Sequence, residues 1–288
     1  MPVVDLSSLE VLAPAGSMEH VRAAIAAGAD AIYIGIKGMS ARPDLWEFDL
    51  SSAIEATRIV HAAGKRIYFA LNAGYAESHT STVVSFMNRV EDSSCDALIV
   101  GDWGLLKRIQ DMAIQIPLHA SSLLGVYNAA TVHLLRRMGV SRIILNTNLF
   151  LDEIAALIRA CPDMEFEMIA YGGICFNDQR RCRLPHVTID GHYHVGCKFH
   201  YVVSDKQSDE HRHTVNLHMP DTDLASTLAL YIALGVTSFK IEGRTRSTDY
   251  VAQSTAILRK AVNEFFERSR GANLSHYVIH PADTGARQ

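Results

Sequence analysis

Residues 10–36 read EVLAPAGSMEHVRAAIAAGADAIYIGI and contain the unit from which the fold is built. A short apolar run, Glu10–Ala13, is followed by a helical segment, Met18–Ala27, which Gly28 can end in a left-handed conformation. A second run, Ala31–Ile36, is rich in β-branched side chains. A strand, a helix and a second strand in this order predict a parallel βαβ unit.

The same alternation continues along the chain. Six further strand-like runs are Arg66–Leu71, Ala97–Val100, Ile116–His119, Arg142–Leu145, Glu165–Ala170 and Ser238–Ile241. Helical patterns between and after them include Ala53–Ala63, Thr82–Glu91, Tyr127–Met138, Asp152–Ala160 and Thr248–Arg268. Eight such units predict an α/β fold of the (β/α)8 TIM-barrel type, with an open doubly wound sheet as the alternative.

Composition narrows the class of protein. The 288 residues are 48% hydrophobic, which is enough for a substantial core. A net charge of −4 argues against a protein that coats nucleic acid through bulk charge. No window of about 20 apolar residues predicts a membrane span, and the N-terminus shows no signal-peptide pattern. We therefore expect a cytoplasmic protein.

One interval interrupts the alternation. From Tyr171 to about Val215 the sequence shows no strong periodicity, and a long insertion after the seventh strand would lie at the C-terminal face, where barrel active sites are found. We predict one barrel domain over residues 1–270, with a cysteine- and histidine-rich, metal-binding insertion over 171–223. Residues 271–288 are expected to form a loose tail.

Three of the five cysteines, Cys175, Cys182 and Cys197, lie in this insertion. Thiolates bind zinc and iron–sulfur clusters well, and a Cys-x6-Cys spacing is longer than that of ordinary zinc ribbons, which favours a cluster. Zinc bound by three cysteines and one histidine, or unligated thiols, are the alternatives. The candidates for a fourth ligand are His218, Asp223, His200 and His192. The other two cysteines, Cys95 and Cys161, are expected to be structural.

Polar residues at the strand ends are the candidate catalytic groups. The set is Asn72, Asp102, His119, Asn146, Tyr171, Glu242 and Arg244. Arg244, with Arg42 or Arg246, can hold a carboxylate bidentately, and His119 can donate or accept a proton. The structural alternatives are an internal Glu242–Arg244 salt bridge, a hydrogen-bonded rim position for His119, and loop capping by the two asparagines.

Four segments together resemble the peptidase U32 family. They are Leu12–Ser17, Gly28–Gly35, Gly173-x-Cys175-x6-Cys182 and Phe239–Arg244, and the resemblance runs from about residue 9 to 268. It implies a barrel with four cysteines around a [4Fe-4S] cluster. It also implies oxygen-independent hydroxylation of a ubiquinone precursor or of transfer or ribosomal RNA, with prephenate as the oxygen source in several members.

Residue by residue, Cys175, Cys182 and Cys197 match three of the family's cluster cysteines. Where the fourth is expected, this chain reads His218-Met219-Pro220-Asp221-Thr222-Asp223, and Asp223 falls at about the cysteine position. The resemblance therefore implies Asp223 as the fourth ligand, with His218 as a further candidate. The early end of the chain after the barrel favours the short, quinone-pathway-like branch.

Three functions follow from these observations. The first is an oxygen-independent hydroxylase, acting on a small aromatic substrate or on RNA, for which His119, Glu242, Arg244 and Tyr171 are the predicted catalytic residues. The second is a collagenase-like peptidase, although neither a Gly-x-Ser-x-Gly elbow nor a His-Glu-x-x-His motif is present. The third is a non-catalytic, cluster-carrying partner of a paralogous barrel subunit.

Overall fold

The computed structural model describes residues 8–41, 47–175, 186–189, 192–195, 197, 199–204, 212–217 and 219–269. Eight parallel strands form its centre: β1 (Glu10–Ala15), β2 (Ala31–Gly35), β3 (Arg66–Leu71), β4 (Ala97–Val100), β5 (Leu118–Ala120), β6 (Val140–Ile144), β7 (Glu165–Gly173) and β13 (Ser238–Ile241). Each pairs with the next, and β13 lies between β7 and β1, so the sheet closes on itself. The predicted TIM-type barrel is confirmed.

Helices alternate with the strands around the outside. They are α1 (Met18–Ala26), α2 (Leu50–Ala62), α3 (Thr80–Met87), α4 (Trp103–Asp111), α5 (Ala129–Arg137), α6 (Leu151–Ala160), α7 (Leu228–Leu234) and α8 (Thr248–Ser269). Gly28 follows α1 with a φ of +91°, as the sequence predicted for a left-handed helix end. The helix predicted through Glu91 ends earlier, at Met87, and a 3-10 turn (Val90–Ser93) follows it.

The insertion after β7 contains more regular structure than its sequence indicated. Two antiparallel hairpins are described, one of β8 (His186–Ile189) and β9 (His192–Val195), the other of β10 (His200–Ser204) and β11 (Arg212–Asn216). These strands are four or five residues long, too short to produce a clear period. A last strand, β12 (Asp221–Asp223), then pairs antiparallel with the end of β7.

Two apolar layers lie on the two sides of the barrel wall. The outer layer joins strand residues such as Val11, Ile32 and Phe239 to helix residues such as Val21 and Leu258. The inner layer comes from strands alone: Leu12, Ala31, Tyr33, Tyr68, Ala70, Ala97, Ile99 and Ile144. Because strand side chains alternate between faces, charged residues in phase with the inner layer point into the barrel.

Those charged residues form a network near the N-terminal end of the barrel. The Arg142 guanidinium donates to Glu10 at 2.6 Å and to Glu167 at 3.3 Å, and Lys240 Nζ donates to Glu167 at 3.1 Å. Both carboxylates are fully buried. Tyr68 donates its hydroxyl proton to the second Glu10 oxygen at 2.5 Å. The network joins five barrel strands, β1, β3, β6, β7 and β13, through side chains as well as through the backbone.

The Glu10 carboxylate in this network remains ionised at neutral pH. Burial alone would raise the pKa of Glu10, but the Arg142 and Arg66 guanidiniums outweigh burial and hold the pKa below its ordinary value of 4.5. A carboxyl whose pKa is lower in the folded state stabilises the fold above its unfolded pKa. That contribution is lost as the pH falls from about 4.5 through the folded value.

Outside the barrel, none of the described helices is long and apolar enough to cross a membrane. The residues predicted to form a loose tail, 271–288, lie outside the described part of the chain.

We predict that Glu167→Gln lowers the free energy of unfolding by about 3 kcal/mol, because it leaves Lys240 and Arg142 buried with one fewer counter-charge. Glu165→Gln is the matched control, since Glu165 also pairs with Arg142 but its side chain is 57% exposed. The control should lose less than about 1 kcal/mol. Urea denaturation at neutral pH measures both, and equal losses would contradict the assignment.

Candidate active site

His119 lies on β5 and points into the barrel. Its ring centroid is 4.8 Å from that of Tyr68 in an edge-to-face arrangement, and the residue is 5% exposed. Burial, followed by the positive charges of Arg142 and Lys240, holds the pKa of His119 well below its ordinary value. The Nδ1 atom has no hydrogen-bond partner among the described residues. His119 is therefore a neutral ring that can hydrogen-bond to a molecule inside the barrel mouth.

Lys240 is a second inward-facing group, and it was not among the residues predicted from the sequence. Its Nζ atom lies 4.0 Å from the Tyr33 ring centroid while it donates to Glu167. Burial lowers the pKa of Lys240 and the Glu167 carboxylate opposes this effect, leaving the pKa below its ordinary value. The sequence does contain a signal for Lys240. In β13, Ser238 and Lys240 alternate with the apolar Phe239 and Ile241, so the two pairs point to opposite faces of the strand.

Arg244 is brought to the same interior from the loop after β13. It is 6% exposed, and its guanidinium carbon lies 5.6 Å from the Tyr33 ring centroid. The guanidinium occupies the space beside Gly35, the last residue of β2, where any side chain would collide with it. The absent side chain at position 35 thus makes room for Arg244 at the barrel mouth.

The other arginines considered for the same anion are placed differently. Arg246 donates to Asp221 at 2.6 Å, and its guanidinium carbon lies 5.0 Å from the Tyr250 ring centroid. It is thus tied to the start of β12. Arg42 lies outside the described residues. Arg244 is therefore the described arginine placed to bind an anion at the barrel mouth.

Tyr171 and Glu242 meet at the C-terminal ends of β7 and β13. The Glu242 amide donates to the Tyr171 carbonyl at 2.8 Å, and Gly172, at a φ of +103°, allows the Glu242 carbonyl to approach closely. The Tyr171 ring packs edge-to-face on Tyr250 at 6.1 Å between centroids. Burial, then the carboxylates of Asp223 and Asp221, raise the pKa of Tyr171, so it is a protonated phenol at neutral pH.

Two strand-end asparagines support loops, as the structural alternative predicted. Asn72 Oδ1 accepts from the Ala41 amide at 3.0 Å, and Asn146 Oδ1 accepts from the Asn148 amide at 3.0 Å. Asp102 caps α4 by accepting from the Leu105 amide at 2.9 Å. These contacts shape the loops of the C-terminal face.

The cysteines fall into two groups. Cys95 and Cys161 are buried, and burial raises the pKa of both thiols, that of Cys95 to about 12, which confirms that they are core residues. Cys175 and Cys197 are only half-buried. The Cys175 carbonyl accepts from Thr147 Oγ1 at 3.3 Å, which ties the start of the insertion to the loop after β6.

Among the candidates for the fourth ligand, Asp223 has a described side-chain hydrogen bond. It lies opposite Tyr171 in the β12–β7 pairing, and its Oδ1 accepts from the Ala225 amide at 2.9 Å. Cys182 and His218 lie outside the described residues, and the described part contains no group of three or more potential metal ligands.

Comparison with known proteins assigns the family. Residues 16–281 match the model of peptidase family U32. This chain belongs to the peptidase U32 family. The resemblance seen in the four sequence segments is thereby confirmed over most of the chain.

Two relatives of this U32 protein are named for RNA hydroxylation. The tRNA hydroxylation protein P of Helicobacter pylori is 28% identical over 281 residues, covering 92% of this chain and 67% of the relative. The 23S rRNA 5-hydroxycytidine C2501 synthase of Escherichia coli is 30% identical over 291 residues, covering 96% of this chain but 43% of the relative. This U32 chain therefore corresponds to only part of the ribosomal RNA enzyme.

A solved structure supports the fold alone. Thiamine phosphate pyrophosphorylase from Pyrococcus furiosus superposes with a TM-score of 0.52 at 12% identity, covering 90% of this U32 chain and 98% of that one.

We predict that His119 makes the stability of this U32 protein pH-dependent. Because its folded pKa is below that of the unfolded chain, protonation favours the unfolded state as the pH falls below about 6.5. As the pH falls from 6.5 to 5, the extra loss of the parent relative to His119→Asn should steepen towards about 1.4 kcal/mol per pH unit. Urea titrations at several pH values measure the difference, and parallel pH profiles would show that His119 is not held neutral.

Proposed function

We propose that this U32 protein hydroxylates a base of transfer or ribosomal RNA without molecular oxygen, using a cysteine-bound iron–sulfur cluster and a prephenate-like acid as the oxygen donor. The observation that carries the proposal is the combination of two RNA-hydroxylating relatives with a polar barrel mouth at which the cysteine-bearing insertion begins and ends. An RNA substrate is consistent with the cytoplasmic location expected from the sequence.

Arg244 is the group proposed to bind the acid. A guanidinium presents paired N–H donors that match a carboxylate, and a buried guanidinium binds it more strongly than an exposed one. Lys240 adds positive potential below it. The interior of the mouth therefore favours an anionic small molecule over a neutral one.

His119 is proposed to act as a neutral hydrogen-bonding group. Its unpartnered Nδ1 atom and depressed pKa allow it to hold a hydroxyl, or to accept a proton at the open nitrogen during the reaction. Tyr171 and Glu242, at the ends of β7 and β13, are proposed to line the side of the mouth next to the insertion.

The proposed cluster ligands are Cys175, Cys182 and Cys197, with Asp223 or His218 as the fourth. The half-exposure of Cys175 and Cys197 suits ligands, whereas the buried Cys95 and Cys161 do not. The C–O bond of the prephenate-like donor would break as the acid loses hydroxide and carbon dioxide and becomes aromatic. Adding that hydroxide to a C–H carbon forms C–OH and releases one proton and two electrons. A [4Fe-4S] cluster, together with an external electron acceptor, supplies the route by which the electrons leave. Zinc, which has no redox chemistry, is the alternative metal.

We predict that anaerobically purified protein contains about four iron and four sulfide per chain, as a [4Fe-4S] cluster requires. Cys182→Ala should lose them because a thiolate ligand is removed, and Cys161→Ala should keep them because that thiol lies in the core. Absorbance spectra and analysis of iron, sulfide and zinc are measured for all three proteins. Loss of the cluster in Asp223→Asn or in His218→Ala identifies the fourth ligand. Zinc, or no metal, in the parent would exclude the redox proposal.

A second prediction concerns the reaction. Protein incubated anaerobically with unmodified transfer or ribosomal RNA, prephenate and an electron acceptor should add one oxygen atom to a nucleoside. Arg244→Lys should lower the rate about 10- to 100-fold and raise the KM for the acid, because a lysine cannot pair bidentately. Arg136→Lys, at an exposed pair with Asp163 on the outer surface, is the control.

Mass spectrometry of digested RNA measures this product. If no RNA is hydroxylated while a ubiquinone precursor is, the substrate assignment is wrong and the small-molecule branch is favoured. If activity appears only after addition of a paralogous U32 subunit, this chain is a cluster-carrying partner. Cleavage of denatured collagen in the absence of any hydroxylation would favour the peptidase alternative.

A further inference from the structure

Phe150 projects from the rim of the barrel into solvent. It is the residue immediately before α6, in the loop that follows β6, and it is 75% exposed, more than any other large hydrophobic residue in the described ranges. A single exposed apolar residue is ordinary on a protein surface, so a role for Phe150 has to be inferred from the residues around it.

The loop that carries Phe150 is held in place by hydrogen bonds. Asn146 Oδ1 accepts from the Asn148 amide at 3.0 Å, and the Asn146 carbonyl accepts from the Leu149 amide at 3.3 Å. Glu153 then accepts from the Phe150 amide at 2.7 Å. The backbone is therefore fixed on both sides of the ring, and ordering the ring against a ligand costs little further entropy.

This loop lies beside the candidate active site. Thr147 donates to the carbonyl of Cys175, where the insertion begins. The neighbouring strand β5 is followed by a loop that carries Tyr127, 39% exposed, just before α5. Two exposed aromatic rings thus occupy adjacent loops on the face that contains the proposed site. Leu134, by contrast, is an exposed aliphatic residue on an outer helix, α5.

An RNA substrate, as proposed above, requires exposed aromatic surfaces of this kind. A base can reach a group inside the barrel mouth only after it leaves its stack, and its neighbours then expose their faces. Aromatic side chains bind such faces with little regard to sequence. Since the chain has a net charge of −4, bulk charge does not supply the affinity, and stacking must contribute a larger share.

We propose that Phe150, together with Tyr127 on the neighbouring loop, forms a stacking platform for the unpaired nucleotides next to the base that enters the barrel. The inference rests on the proposed RNA hydroxylation and assigns the side chains that position the RNA.

The test uses the full chain and a single-stranded RNA oligonucleotide. Phe150→Ala should weaken binding about tenfold, within the range measured for loss of one stacked base, and the loss should persist at high salt because stacking is not screened. Phe150→Trp should keep the affinity, and its indole emission should be quenched on binding, above the signal of the two native tryptophans. Leu134→Ala is the control and should bind like the parent.

The outcomes separate this inference from the function on which it rests. A parent that binds and hydroxylates RNA, with Phe150→Ala binding equally well, overturns the platform and leaves the proposed function standing. A tenfold loss that disappears at high salt, or an unquenched Phe150→Trp, also overturns stacking at this residue. A parent that binds no RNA overturns both proposals. Thermal melting of each variant shows whether the fold is intact.

Discussion

The ion pair between Glu10 and Arg142 is the constraint on which the barrel depends. Glu10 begins β1 and Arg142 lies on β6, so the pair spans the interior instead of joining neighbouring strands. Taking either charge out of water costs several kcal/mol unless the other is present. Only a closed sheet brings the two strands face to face, which is why the barrel, and not the open doubly wound sheet, suits this sequence.

The same network divides the interior into two parts. Towards the N-terminal end, the carboxylates of Glu10 and Glu167 are matched by Arg142 and Lys240. Towards the mouth, the polar groups are a neutral histidine with an open nitrogen and a guanidinium beside a glycine. Burial is the larger cause that keeps His119 neutral, and the positive charges that hold the N-terminal half of the interior together add to it. The stability of that half and the chemistry of the mouth therefore share part of their electrostatics.

Local patterns predicted the barrel well and its interior poorly. The strands and most helices follow from apolar runs and glycine ends, and His119 and Arg244 were selected as candidates because they lie at strand ends. Three interior residues were missed: Lys240, Glu10 and Arg142. In the sequence, a charged residue within or at the start of a strand looks like a solvent-exposed residue, and only the closure of the barrel shows that its side chain points into the interior. The placement of Asp223 opposite Tyr171 likewise depends on the register of β12, a pairing that spacing along the chain does not reveal.

The short strand β12 also affects how this protein can diverge. It returns the chain to the strand from which the insertion departed, so the insertion begins and ends at one edge and its length does not alter the spacing of any other element. The segment between these two attachment points can be lengthened, shortened or replaced as a unit without repacking the strands and helices of the barrel. Relatives that share the barrel can therefore differ in the side chains of this segment, with selection acting on it separately from the barrel.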